Sequence, residues 1–300
     1  MRKARGGVAF FDSGIGGLTV VNACRKWLPD TLFYYYGDNE HAPYGNLTTK
    51  KIKKYVFRVF KRFEKLQVGA AVVACNTATA VCIDELRKKF KFPIIGAEPA
   101  VFCAAQRGEK VLVLTTKATY NSTRFCELCA RVKEFYPRVS LRLFPCEGLA
   151  GEIERHIFEE KYDYAFLFPE AEADVVVLGC THYVYVASQI EAFYNCSIVD
   201  GNEGIARRLK SIIEENNLSN EHLQPLNNTI QPFMLLRRPF LRKLANNNEG
   251  EWEGKSKKKT TRAPKREKWV DRNKEKRQEG VVFLGKNGKY NKTVYEHLFL

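Results

Sequence analysis

No run of apolar residues in this sequence is long enough to cross a membrane. The longest uncharged stretch, residues 66–83, is broken by Gln67, Asn76 and three Thr or Gly residues, and it reads as strand, turn and helix start. A secretory signal is not expected either: "MRKAR" is basic, but "GGVAFFDSG" gives a short apolar stretch that carries Asp12. Only one CxxC occurs, at 126–129, so no zinc-ligand set is completed and no metal is expected. The nine cysteines are odd in number and irregularly spaced, and several lie in apolar runs. That disfavours a disulfide framework and points to the reducing cytoplasm. A dinucleotide fingerprint is missing as well, because "DSGIGG" (12–17) spaces its glycines G-x-G-G rather than G-x-G-x-x-G.

What is present is enough apolar material for a substantial core: 45% of the 300 residues are hydrophobic and 12% aromatic. The net charge of +15 is unevenly placed. Residues 237–300 hold 19 Lys or Arg against 8 Asp or Glu, whereas the body before them is nearly balanced. An argument for a polyanionic partner therefore concerns the tail alone.

Short β-rich runs alternate with amphipathic stretches through the first 216 residues. The pattern predicts strands at 8–12, 32–38, 70–75, 93–96, 111–116, 140–144, 174–180 and 197–200. Helical patterns fall between them, for example at 48–66, 78–90 and 120–135. The fold class expected is α/β, with mainly parallel sheets covered by helices on both faces. In such sheets ligands bind beyond the carboxyl ends of the strands.

Two of those ends carry nearly the same phrase: "VVACNTATA" (72–80) and "VVVLGCTHY" (175–183). Cys75 and Cys180 are 105 residues apart, and the same offset sets Asp12 opposite Lys117, each closing an apolar strand. This implies two similar halves, each offering a polar loop and a strand tipped by a thiol. Across a cleft, one thiolate takes a proton from a carbon and the opposite thiol returns one to the other face, which inverts a stereocentre. Asp12 is placed to assist one thiol and His182 the other. The glycine-rich loop at 12–17 offers backbone N–H groups to an anionic group. The competing reading takes Cys75 and Cys180 as core thiols in ordinary strands.

"FDSGIGGLTV" (11–20), "YGDNEHAPYG" (36–45), "ACNTATA" (74–80), "IGAEPA" (95–100) and "LGCTHY" (178–183) closely resemble the glutamate racemase family, in the family's order, over residues 8–216. The resemblance implies a cofactor-independent enzyme that interconverts L- and D-glutamate and supplies D-glutamate for peptidoglycan. It also implies a homodimer and two pseudo-symmetric domains with the site between them. Residues 1–98 with about 206–245 would form the first domain and 99–205 the second. Cys75 and Cys180 match the acid/base thiols, with Asp12 and His182 as their polar assistants. Asp12, Ser13, Tyr44, Gly45, Asn76, Thr77, Thr181 and His182 match the substrate contacts. A further acid is expected near "FPCEGLAGE", where Glu147 and Glu152 both remain open. Aspartate-type racemases are the nearest alternative; they typically carry Glu after "GCT", so His182 favours glutamate.

The tail departs from this pattern. "IQPFMLLRRPFLRKLA" (230–245) lacks the family's closing motif, either as a lineage-specific extension or through a changed reading frame. Residues 246–300 are expected to stay outside the body, with Val281–Leu284 at most docking on a sheet edge. Contact of this tail with nucleic acid, on an otherwise inactive scaffold, is the disfavoured reading, because Trp252 and Trp269 stand alone.

Overall fold

The computed structural model describes residues 6–216, 218 and 280–299. Within them lie two parallel sheets. The first contains β1 (Val8–Asp12), β2 (Phe33–Gly37), β3 (Ala70–Val73), β4 (Ile94–Gly96) and a late strand, β9 (Val281–Phe283), in the order β4-β3-β1-β2-β9. The second contains β5 (Lys110–Thr115), β6 (Ser140–Pro145), β7 (Val175–Gly179) and β8 (Ser197–Val199), in the order β6-β5-β7-β8. Every pairing is parallel. Strands such as VAFFD and VVVLG are buried throughout because helices cover both faces.

Read from β4 and from β8, the first four strands of the two sheets have the same order, and β9 has no counterpart, so the internal repeat is topological. Its register refines the sequence expectation. Phe11 pairs with Val73 and Leu114 pairs with Leu178, so Thr115, not Lys117, occupies the place of Asp12 in the second sheet. Lys117 instead starts a short helix and pairs with Glu147 at 2.8 Å on the surface.

The helices follow from local signals. In α2 (Thr49–Lys65), Ile52, Val56, Val59, Phe60 and Phe63 recur at helical spacing and are buried, and Thr48 caps the start by accepting from Lys51 N. After β1 the chain enters α1 (Gly17–Trp27), and after β3 it enters α3 (Asn76–Lys89). After β8, α9 (Asn202–Glu215) returns to the first sheet, where Ile205, Ala206, Leu209, Ile212 and Ile213 join the core beneath α1.

Within 246–300, residues 281–283 dock on the edge of the first sheet, the one exception expected, but the helix after them packs on the body as well, against the expectation. β9 pairs with β2 through Phe33–Val281, Tyr34–Val282 and Tyr35–Phe283. The final helix, α10 (Gly288–Phe299), buries Asn291, Val294 and Tyr295. Asn291, Val294, Tyr295, Leu298 and Phe299 stand at i, i+3, i+4, i+7 and i+8, an inward-facing stripe that outweighs the polar composition of its surroundings. The segment 230–245 and residues 246–279 lie outside the described residues.

Candidate active site

The site is built where β1, β3 and β7 end. Asp12 is the last residue of β1 and is fully buried. Its Oδ1 accepts from Gly14 N at 2.9 Å, and its Oδ2 accepts from Thr181 Oγ1 at 3.1 Å, across to the second sheet. Burial raises its pKa, against the opposing pull of His182 and of the Gly14 N–H.

Cys75 sits at the N-cap of α3, with its sulfur accepting from Ala78 N at 3.4 Å and donating to Ser13 Oγ at 3.6 Å. Burial pushes its pKa up to about 12, and the Asp12 charge adds to this; the Ala78 N–H and Ser13 hydroxyl work the other way. The Cys180 charge is also felt at Cys75, which places both thiols in one electrostatic neighbourhood.

Cys180 follows β7 directly, and its sulfur lies 3.7 Å from His182 Nδ1. The other ring nitrogen, Nε2, lies 2.8 Å from Glu154 Oε1. Burial pulls the His182 pKa down, but the bonds to Cys180 and Glu154 outweigh it and hold the pKa well above the ordinary value. Both neighbours thus favour the charged ring.

Glu154 lies in α7 (Leu149–His156). Neither acid singled out from the sequence reaches the site. Glu147 pairs with Lys117, and Glu152 is engaged by Arg155, by His156 and by the Tyr162 hydroxyl at 2.9 Å. Glu154 was missed because the quoted motif stops two residues short of it. The signal available was spacing: Leu149, Ala150 and Ile153 bury one face of α7, and Glu154 flanks that face. Its Oε1 also accepts from Ile15 N at 2.8 Å, and its Oε2 accepts from Asn39 Nδ2 at 3.3 Å.

The glycines of "DSGIGG" make room for this convergence. A side chain at Gly14 would run into the Glu154 carboxylate, and one at Gly16 would run into Thr181 and His182. A Cβ at Gly17 would stand 2.6 Å from Asp12 Cβ.

The remaining sequence candidates divide by what their polar atoms do. Asn76 opens α3, and its Oδ1 is buried without a hydrogen-bond partner. Thr77 spends its hydroxyl on Thr116, at 2.8 Å, on the second sheet's side. Tyr44 is buried, and its hydroxyl donates to Asp38 at 2.6 Å. Gly45 presses on Thr116, where a Cβ would stand 2.9 Å away. Asp12 with Thr181, Ser13 with Cys75, and Cys180 with His182 are therefore hydrogen-bonded pairs at adjoining strand ends, whereas the Tyr44 and Thr77 hydroxyls are spent on Asp38 and Thr116. These groups are buried, and the open depression lined by residues 158–163 contains none of them.

Residues 19–209 match the family described as Asp/Glu/Hydantoin racemase. The chain belongs to that family. It is 37% identical over 220 residues to a glutamate racemase of Bifidobacterium animalis subsp. lactis, covering 69% of this chain and 84% of that protein. It is also similar to the crystal structure of Escherichia coli glutamate racemase in complex with L-glutamate and the activator UDP-MurNAc-ala. That match has a TM-score of 0.63 and 31% identity, over 70% of this chain and 83% of that one. A glutamate racemase from Francisella tularensis in complex with D-glutamate matches with a TM-score of 0.61 and 27% identity, over 72% and 83% of the two chains.

Proposed function

We propose that this racemase-family chain interconverts L-glutamate and D-glutamate by two-thiol proton transfer, with Cys75 and Cys180 working on opposite faces of the α-carbon. The observation that carries the reading is the Cys180–His182–Glu154 relay, set beside the Asp12–Ser13–Cys75 cluster through the Asp12–Thr181 bond. The relatives named above as glutamate racemases supply the substrate.

In the proposed cycle one thiolate removes the α-proton, and the opposite thiol delivers its own proton to the other face. The product leaves with inverted configuration, and the two thiols have exchanged protonation states. His182, held as an imidazolium by Glu154, stabilises the Cys180 thiolate and follows its proton. Around Cys75 the Ala78 N–H and the Ser13 hydroxyl stabilise the thiolate, while the Asp12 charge opposes it. A substrate ammonium entering this site offsets the Asp12 charge and brings the Cys75 thiol down from its resting value. Thr181, Asn76 and Ser13 contact the zwitterion, and the unpaired Asn76 Oδ1 is a ready acceptor for the ammonium.

The reading requires no cofactor, since both proton carriers belong to the chain. It extends to a homodimer in the cytoplasm that supplies D-glutamate for peptidoglycan. Among the described residues no helix is long and apolar enough to cross a membrane. The decisive experiment follows L-glutamate by circular dichroism in deuterated buffer with purified protein. The signal is expected to decay to zero as deuterium enters the α-carbon. A requirement for added pyridoxal phosphate, or higher turnover of aspartate, would overturn it.

A further inference from the structure

The C-terminal segment grips the loop that follows β2. Leu284 N donates to Tyr35 O at 2.7 Å, and Lys286 pairs with Glu40 at 3.0 Å. With its amide in the orientation that satisfies both ends, Asn287 accepts from Asn39 N at 3.2 Å and Glu40 N at 3.3 Å. One turn further on, Asn291 is fully buried, with both amide atoms unpaired. Its Nδ2 stands 2.8 Å from where a Gly37 Cβ would lie, and Asn39 Oδ1, also buried and unpaired, stands 3.0 Å from the same point. A donor and an acceptor thus both border the Gly37 position, each without a partner. Leaving each so costs about 1–3 kcal/mol. An aliphatic residue on the same stripe as Val294 and Leu298 would avoid that cost, so the amide calls for a reason.

The reason lies at the other end of Asn39, whose Nδ2 donates to Glu154 Oε2. Glu154 in turn holds His182. The neighbour of Asn291 bears on the same residue: Tyr290 OH donates to Glu154 O at 3.5 Å. Two consecutive residues of α10 therefore bear on Glu154, one next to the side chain that holds its carboxylate, the other on its backbone. The terminal torsions of both amides are soft, so a bond between Asn291 and Asn39 is open to small rotations.

We propose that Asn291 is a positioning residue for proton transfer at Cys180, orienting Asn39 so that the Glu154 carboxylate stays on His182. The proposal rests on the reading of Cys180 and His182 as an acid–base pair. The titratable groups facing that pair are Asp12, Glu154, Cys75, Cys146 and Tyr183, with Tyr35, Tyr185 and Tyr290 around Glu154.

The test compares the full chain with Asn291→Leu, Asn39→Leu, Val294→Ala and Cys180→Ser. Asn291→Leu is expected to keep KM within about threefold and lower kcat about tenfold, and to move the His182 limb of the kcat/KM profile to lower pH. The primary isotope effects with α-deuterated L- and D-glutamate should change unequally, because the relay serves only one of the two thiols. Asn39→Leu should reproduce this pattern, and it carries the test if Asn291→Leu does not fold. Val294→Ala removes packing from the same helix face, so it should lower Tm while leaving the pH profile and the ratio of isotope effects unmoved. If the Asn variants behave like Val294→Ala, Asn291 is a packing residue and the proposal fails. Full activity in Cys180→Ser would instead remove the two-thiol reading on which it rests.

Discussion

Glu154 Oε1 meets His182 Nε2 at 2.8 Å while accepting the backbone N–H of Ile15, so one oxygen ties α7 of the second half to the glycine loop of the first. The His182 ring is thereby fixed in orientation as well as in charge, with its Nδ1 left toward Cys180. A carboxylate that orients a buried imidazole in this way sets the proton affinity of whatever faces the other nitrogen.

Replacing Glu154 by Gln keeps the volume and removes the charge. The folded pKa of His182 is raised, so its stabilisation is fully present below about pH 6.5, the ordinary value, and fades as pH rises through the folded value. The gap in thermal stability between wild type and Glu154→Gln should therefore be widest at mildly acid pH, above the ordinary carboxylate range, and narrow on going alkaline. Its size should be of order 3 kcal/mol, as expected for breaking a nearly buried pair. A pH series of melting curves measures it, and a gap that widens with pH would refute the assignment. The same variant should lower kcat/KM by about a hundredfold.

The two thiols should be separable from the other cysteines. Cys75→Ser and Cys180→Ser are each expected to reduce racemisation by at least about a thousandfold while leaving the far-ultraviolet dichroism unchanged. Cys126 is exposed and Cys103 half-buried, and replacing either by Ser should cost less than about 0.5 kcal/mol of stability, with activity retained. Activity loss that tracks loss of folded protein in the first two variants would return them to the core.

The resting state of Cys75 is open to chemical measurement. With its pKa pushed up to about 12, the free protein holds almost no Cys75 thiolate at neutral pH. Iodoacetamide should modify exposed Cys126 first, and peptide mass spectrometry should find Cys75 slow to react. Its rate should climb with each pH unit through pH 9. Fast, pH-independent alkylation of Cys75 at pH 7 would contradict the burial argument.

The central strands were legible because parallel strands buried on both faces leave continuous apolar runs, as in VAFFD and VVVLG, and the more exposed β6 and β8 because they are β-rich runs between helical stretches. The two Cys phrases were legible because each strand tip repeats a Cys followed closely by Thr. Glu154 was not, because its role depends on which face of α7 meets the strand tips, and a motif gives no such direction. The equivalence of Asp12 was misjudged by two residues, since a constant sequence offset does not survive loops of different length. The C-terminal helix was missed for another reason. Composition averaged over 246–300 hid the stripe at 291, 294, 295, 298 and 299, so the short strand at 281–283 was read as a weak edge contact with no helix behind it.

That last correction reverses the outcome expected of a truncation. Read from composition, ending the chain after Ala245 would leave the body intact. In the structure the same cut removes β9 and α10. Edge strand β2 would lose the pairs at Phe33, Tyr34 and Tyr35, leaving unpaired backbone groups along a buried, aromatic-rich strand. Val294 and Tyr295, almost wholly buried, would be lost from the core under α1, and with them the Arg25 bond to Tyr295 OH at 3.0 Å. Two such side chains contribute roughly 4 kcal/mol in transfer alone, a large share of the 5–15 kcal/mol that holds a typical domain together. The truncated chain is therefore expected to be insoluble or to melt at least about 10 °C lower, with racemisation lost in proportion to folded protein. An internal deletion of 246–279, closed by a flexible linker, keeps β9 and α10 and should restore both. If the chain ending at Ala245 melts and turns over like the full one, the docking of β9 and α10 contributes nothing to the fold.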